Sequence, residues 1–295
     1  MKIFAYRVAQ KGPRSLNRIC DLLKAADFED RFFGGSPVRL EEAATREGFL
    51  VMDFSRERGG HGPGKMSRAA GLSDIALKAG ESFGEDTAIA FDPLSGFAAM
   101  QYNHYGPRTT AIEDYLYAYD LSLGGQPPRE DGERDEDRFG FKFGALLKHD
   151  AAERLQRMGI IHEIEFSVSV PGVRAADLEA GRSLGDVLRV PLPPGIETIS
   201  ITMTAAAGRD GALGRGGALG IVNDLQRVGA SVKHALIKGR PTRDDPIDRI
   251  DLVNERISKD ENLELGRSKR YSRADRWGAL TRVLRSWLDA GTLLR

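Results

Sequence analysis

Residues 160–170 read IIHEIEFSVSV, and the fold turns on how this stretch is read. Apolar and polar residues alternate along it, as they do in a strand with one buried face. Working outward, a short helical stretch (150–158) precedes it, and a strand (139–147, FGFKFGALL) precedes that. Downstream, residues 196–204 (IETISITMT) alternate again, residues 218–228 (ALGIVNDLQRV) read as a helix, and residues 231–237 (SVKHALI) read as a strand. The order β-α-β, then β-α-β, is the split pattern of a ferredoxin-like sheet. Two helices are expected after it. Asp245 and Pro246 offer N-cap and first-turn chemistry for one that continues through IDRIDLVNERI. Ser272, with Asp275 three residues on, starts the other. Its apolar face is Trp277, Leu280, Val283, Leu284, Trp287 and Leu288.

The first half carries its own elements. Residues 2–8 (KIFAYRV) alternate as a strand, and SLNRICDLLKAAD follows as a helix with Ser15 as N-cap. FLVMDF (49–54) and AIAF (88–91) read as strands. DPLSG is turn chemistry that pairs FAAMQY (97–102) back in a hairpin. Residues 107–119 read as a helix. Residues 124–138 are rich in glycine and proline, then almost wholly charged. The expected fold class is therefore α+β. An N-terminal α+β region covers residues 1–122 and a charged Gly/Pro-rich linker or loop covers 123–138. A ferredoxin-like region with C-terminal helices covers 139–295.

Composition narrows the chemistry. Of the 295 residues, 43 are Lys or Arg and 43 are Asp or Glu, so the formal net charge is zero. Any attraction to nucleic acid must then come from a local basic surface. The single cysteine, Cys20, excludes an intramolecular disulfide and fits a reducing compartment. The N-terminal residues lack the apolar core of a signal peptide, and no run approaches about 18 apolar residues. A cytoplasmic protein without a membrane span is expected.

Several motifs fall short of the chemistry they suggest. GRDGALGRGGALG (208–220) holds six glycines in thirteen residues. It lacks the third glycine of a dinucleotide fingerprint, and its strand ends too early for one. It reads as a mobile loop whose backbone N–H groups, with Arg209 and Arg215, could meet phosphates. GGHGPGKMS matches G-x-x-x-x-G-K at Gly59, Gly64 and Lys65, but Met66 replaces the hydroxyl that would bind magnesium. The five histidines show no metal-ligand spacing, and no G-x-S-x-G elbow is present. No cofactor or metal is expected. Cys20 lies on the apolar side of its helix and reads as structural. Glu81, Glu85, Asp86 and Asp92 flank the AIAF strand, with Gln101 on its partner, which is the raw material of a magnesium site. A nuclease of that type wants lysine where Asn103 stands. The turn NHYG (103–106) is polar and aromatic at a strand end.

The last signal is charge. Between residues 267 and 285 stand Arg267, Lys269, Arg270, Arg273, Arg276, Arg282 and Arg285, against Asp275 alone. Such a run favours phosphate through counterion release, and Tyr271 could stack on a base. Helical geometry leaves Arg282 and Arg285 opposite the apolar face.

Taken together, LVMDFSRER…GPGKMS, GEDTAIAFDPLSGFAAMQYNHYGP, the helix ending IEDYL and IKGRPTRDDPIDRIDLVNERI span most of the chain. Their order resembles uncharacterised bacterial proteins found beside mobile elements and phage-defence genes. The resemblance implies a role in defence or genome conflict and carries over no site residue. The expected function is a non-enzymatic nucleic-acid- or protein-binding component of such a system, contacting phosphate through Arg209, Arg215, Arg267, Lys269, Arg270, Arg282 and Arg285. One alternative is a metal-dependent nuclease or phosphohydrolase using the acids around AIAF. Another is a structural or regulatory subunit that docks a partner protein through Trp277 and Trp287.

Overall fold

The computed structural model describes residues 1–32, 38–58, 62–125, 140–169, 196, 198–206, 211–228 and 232–293. The first half runs β1 (Lys2–Gln10), α1 (Leu16–Ala25), β2 (Val38–Arg46), β3 (Phe49–Glu57), β4 (Lys65–Ser67), β5 (Ala70–Ser73), β6 (Gly84–Phe91), β7 (Phe97–Gln101) and α2 (Thr109–Ser122). The second runs β8 (Phe141–Ala145), α3 (His149–Arg157), β9 (Ile160–Ser169), β10 (Thr198–Thr204), α4 (Arg215–Val228), β11 (Val232–Arg240), β12 (Asp248–Asp251), β13 (Ser258–Asp260) and α5 (Arg273–Asp289). The molecule is α+β, and all the strand pairings are antiparallel among the described residues.

The larger sheet has the order β13-β1-β7-β6-β3-β2. The free side of β1 is shared, with β13 pairing Lys2 to Phe4 and β8 pairing Tyr6 to Gln10. Helices cover both faces. Leu16, Ile19, Cys20 and Leu23 of α1 and Ile112, Tyr115 and Leu116 of α2 pack with Leu50, Met52 and Phe54 on one face. Trp277, Leu280, Val283, Leu284 and Trp287 of α5 pack with Val51, Ala88, Ala90 and Ala99 on the other. The alanines of β6 and β7 leave room for the tryptophans. Two-sided cover explains why FLVMDF runs buried without alternation, since each face of the strand meets an apolar layer. Ser15 caps α1 and Ser272 caps α5, as their positions in the sequence predict. Cys20 is buried against Met52, and desolvation pushes its thiol well above the usual range, so it is an inert core group.

The smaller sheet has the order β10-β9-β11-β12. Ala151 and Leu155 of α3 and Ala218, Val222 and Leu225 of α4 cover one face. β10 and β11 run parallel on either side of β9, joined through α4. The expected βαβ-βαβ grouping is not reproduced: β9 lies between β10 and β11, and every pairing in this sheet is antiparallel, whereas adjacent strands of a βαβ unit pair in parallel. β8 leaves for the larger sheet, where Phe141 and Phe143 are buried, and β12 takes an edge of the smaller one.

The helix expected from Asp245 through IDRIDLVNERI is replaced by β12 and a turn. Ile250 pairs with Ile237 and is fully buried, and Asp251 accepts from the amides of Val253 and Asn254 at 2.9 and 3.1 Å. Asp245 accepts from Thr242 in its own turn. Pairing with β11 thus outweighs the capping chemistry. A single helix, α5, follows among the described residues. The residues expected as a linker lie almost wholly outside the described residues.

Candidate functional site

One charged residue interrupts the buried run of β3. Asp53 is 1% exposed and faces α5. A carboxylate so placed needs charged partners, because desolvation alone would cost several kcal/mol. The first turns of α5 supply them. Arg273 Nε donates to Asp53 Oδ2 at 2.7 Å, and Arg276 Nη2 donates to the same oxygen at 3.0 Å. Arg276 is itself 4% exposed. It reaches Gln101 Oε1 at 3.2 Å and Asp86 Oδ2 at 3.1 Å, and Arg270 Nη2 meets that same Asp86 oxygen at 2.7 Å. Gln101 also accepts from the amide of Ala88. Burial lifts the Asp53 carboxyl above its ordinary value, against the pull of Arg276 and Arg273. Asp53 Oδ1 and Arg276 Nε are buried with no hydrogen-bond partner among the described residues.

The network runs from the interior to the surface. Asp53 and Arg276 form its floor. Asp86 lies in between, and the half-exposed Arg270 and Arg273 form its outer layer. The Ser272 hydroxyl accepts from the Asp275 amide at 3.1 Å and donates to its carboxylate at 2.6 Å, which fixes the start of α5 over Asp53. Immediately upstream, residues 266–270 form a tight turn with Lys269 at a φ of 59°, closed by Gly266 N–H to Arg270 carbonyl at 2.9 Å. Arg267 and Lys269 are exposed on this turn, with no ion pair among the described residues. Two carboxylates face three guanidinium groups here, and two more cations stand beside them. Such a surface suits an anion. A divalent cation would meet the arginines first.

The expected phosphate contacts do not form one surface. Arg267, Lys269 and Arg270 are together. Arg282 and Arg285 lie about 14 and 18 Å along α5 from its first residue, Arg273, by helical rise. They bond Glu261 at 3.2 Å and Glu47 at 2.7 Å. Arg215 begins α4 beside the smaller sheet, donating to the Gln156 carbonyl at 3.0 Å. Arg209 lies outside the described residues. The glycine-rich segment is more ordered than expected where it is described. Leu213 N–H donates to the Ile161 carbonyl at 2.8 Å, and α4 starts three residues before Ala218.

The acids around AIAF do not converge either. Asp86 stands in β6 and Asp92 just past its end, six extended residues and about 20 Å away. Asp92 closes the hairpin by accepting from Leu94 and Ser95, while Glu85 pairs with Arg58 and Glu81 with the Lys78 amide. No three His, Cys, Asp or Glu side chains are grouped to hold a metal among the described residues. Trp277 and Trp287 are 9% and 7% exposed, buried between α5 and the sheet, so they give no outward docking face. Lys65 lies on the exposed β4-β5 hairpin, away from any helix start, and Gly59 falls outside the described residues.

Asp53 and the buried role of Arg276 are not evident in the sequence, where Arg276 stands in the basic run expected to favour phosphate. Two signals point to them. Asp53 is the single charge in the apolar run Phe49–Phe54, and Arg276 shares the spacing of Leu280, Val283 and Trp287. No helix is long and apolar enough to cross a membrane among the described residues. No family model matches the chain, and no curated protein matches it.

Proposed function

We propose that the protein is a non-enzymatic nucleic-acid-binding component of a bacterial defence or mobile-element system, and that it meets phosphate at the turn leading into α5. The defence context rests on the sequence resemblance alone. The binding reading rests on one observation. Arg267 and Lys269 stand exposed, without ion pairs among the described residues, beside Arg270 and Arg273, whose guanidinium groups are oriented by Asp86 and Asp53. Anchored arginines lose less side-chain freedom on meeting a phosphate than free ones do.

Fluorescence anisotropy with single- and double-stranded DNA and RNA tests the reading. Affinity falls at least tenfold or so between about 50 mM and physiological salt if several phosphates are engaged. Changing Arg267 and Lys269 together to alanine weakens binding and lowers the salt slope by about one for each phosphate no longer neutralised. Stability stays within about 0.5 kcal/mol, since both side chains are exposed. Absence of binding to all four nucleic acids at about 50 mM salt refutes the reading.

A further inference from the structure

Tyr105 stands in the turn after β7 and is 51% exposed. The Arg58 guanidinium lies 4.0 Å over the centre of its ring, and His104 meets the ring edge-on at 4.9 Å. This pair is anchored. Arg58 Nη1 donates to Glu85 at 3.3 Å, and Asn103 Nδ2 donates to the other Glu85 oxygen at 3.2 Å and to the Asp86 carbonyl at 2.8 Å. The Tyr105 amide donates back to Asn103 Oδ1 at 3.2 Å. Gly106 lets the turn lie flat on β6, because a Cβ there would stand 2.8 Å from the Asp86 carbonyl oxygen.

Alternation along β6 puts Glu85 on the α1/α2 face of the sheet and Asp86 on the α5 face. The tyrosine and the cationic turn therefore flank the same end of the sheet, one on each side. The consecutive residues 84–86 join them, since Arg270 also reaches the Gly84 carbonyl at 3.4 Å. We propose that Tyr105, backed by Arg58, is a base-stacking position, and that the nucleic acid this protein takes is single-stranded. The inference rests on the nucleic-acid reading above and adds the substrate class. A strand that touches both groups must bend over an edge one sheet thick. Duplex DNA, stiff over about 150 bp, does not follow such a path, whereas a single strand does. Its phosphates meet Arg267, Lys269 and Arg270, and an unpaired base lies on the open part of the tyrosine ring.

The experiment compares a labelled oligo(dT) of about 20 nucleotides with a duplex of the same length, using the full chain. The wild type prefers the single strand. Tyr105→Ala weakens single-strand binding about tenfold and leaves duplex binding nearly unchanged. Tyr105→Trp keeps single-strand binding, and the emission of the new indole is quenched as the oligonucleotide is added. Thermal melting of both variants matches the wild type, which separates stacking from folding. If Tyr105→Ala has no effect while the Arg267 and Lys269 substitutions still weaken binding, the stacking inference fails and the binding reading stands. Stacking is refuted in the same way if the duplex binds as well as the single strand and both respond alike to Tyr105→Ala. If the wild type binds neither probe, both fail.

Discussion

In the larger sheet, β3 buries six consecutive residues, Phe49 to Phe54, because helices cover both of its faces. In the smaller sheet, β10 alternates exposed Thr198, Ser200, Thr202 and Thr204 with half-buried Ile199, Ile201 and Met203, because helices cover one face. Ion pairs follow the same division. The buried carboxylate of Asp53 is wedged between two guanidinium groups, whereas Asp248 meets Arg154 at the surface in a bidentate bond of 2.6 and 2.7 Å. Two-sided cover turns each polar group into a commitment that a specific partner must meet. One-sided cover lets charges sit on the open face in water. The charged network that carries the candidate site therefore belongs to the sheet with no open face.

The largest effect is expected in the core of the larger sheet. Phe54→Ala should cost about 4 kcal/mol in urea unfolding, because a fully buried ring leaves a cavity between helix and sheet. Ile201→Ala on β10 should cost roughly 1–2 kcal/mol, because that side chain is only half-buried. Equal losses would break the comparison. Next comes Asp53→Ala, which strands Arg276 in the interior and should cost about 3 kcal/mol. Replacing both residues with leucine should restore most of that loss. If the double variant is no better than Asp53→Ala, the network is more than a charge pair.

The smallest effect concerns Asp248. Its hydrogen bonds from Arg154 hold the carboxyl below the usual range. The folded state thus favours the charged form. The contribution is complete above the ordinary aspartate value and is lost as pH falls through the lowered one. Because the pair is about one-third exposed, the contribution should not exceed about 0.5 kcal/mol. Comparing wild type with Arg154→Ala across acid pH measures it. A difference that persists unchanged to strongly acid pH would show that Arg154 acts through packing instead.

Strands with a strong pattern were legible in the sequence. β1, β3, β6, β7, β9, β10 and β11 all lie where alternation or apolar runs place them, and the serine caps of α1 and α5 follow from local chemistry. β2 was not legible. Its VRLEEAATR is built from good helix formers and is held as a strand by pairing with β3 over its whole length. β12 was misread for the same reason, since pairing with β11 rather than its own residues decided its state. The site was legible in parts: Asp86 and Gln101 read as raw material for a metal site and the arginines as a run of phosphate contacts, with no link between the two. What joins them is the crossing of α5 over β3, β6 and β7, and no local pattern encodes that crossing.

That crossing sets an order of events during synthesis. The strands β3, β6 and β7 are made by residue 101, but the helix that covers one of their faces ends at Asp289, roughly 190 residues later. At ribosomal rates of about 5–20 residues per second, the face lined by Val51, Ala88 and Ala99 waits on the order of 10–40 s for its cover. Asp53 of β3 cannot meet Arg273 and Arg276 until that helix has been made. The buried ion pairs of the larger sheet are thus among the last contacts that synthesis permits it to make.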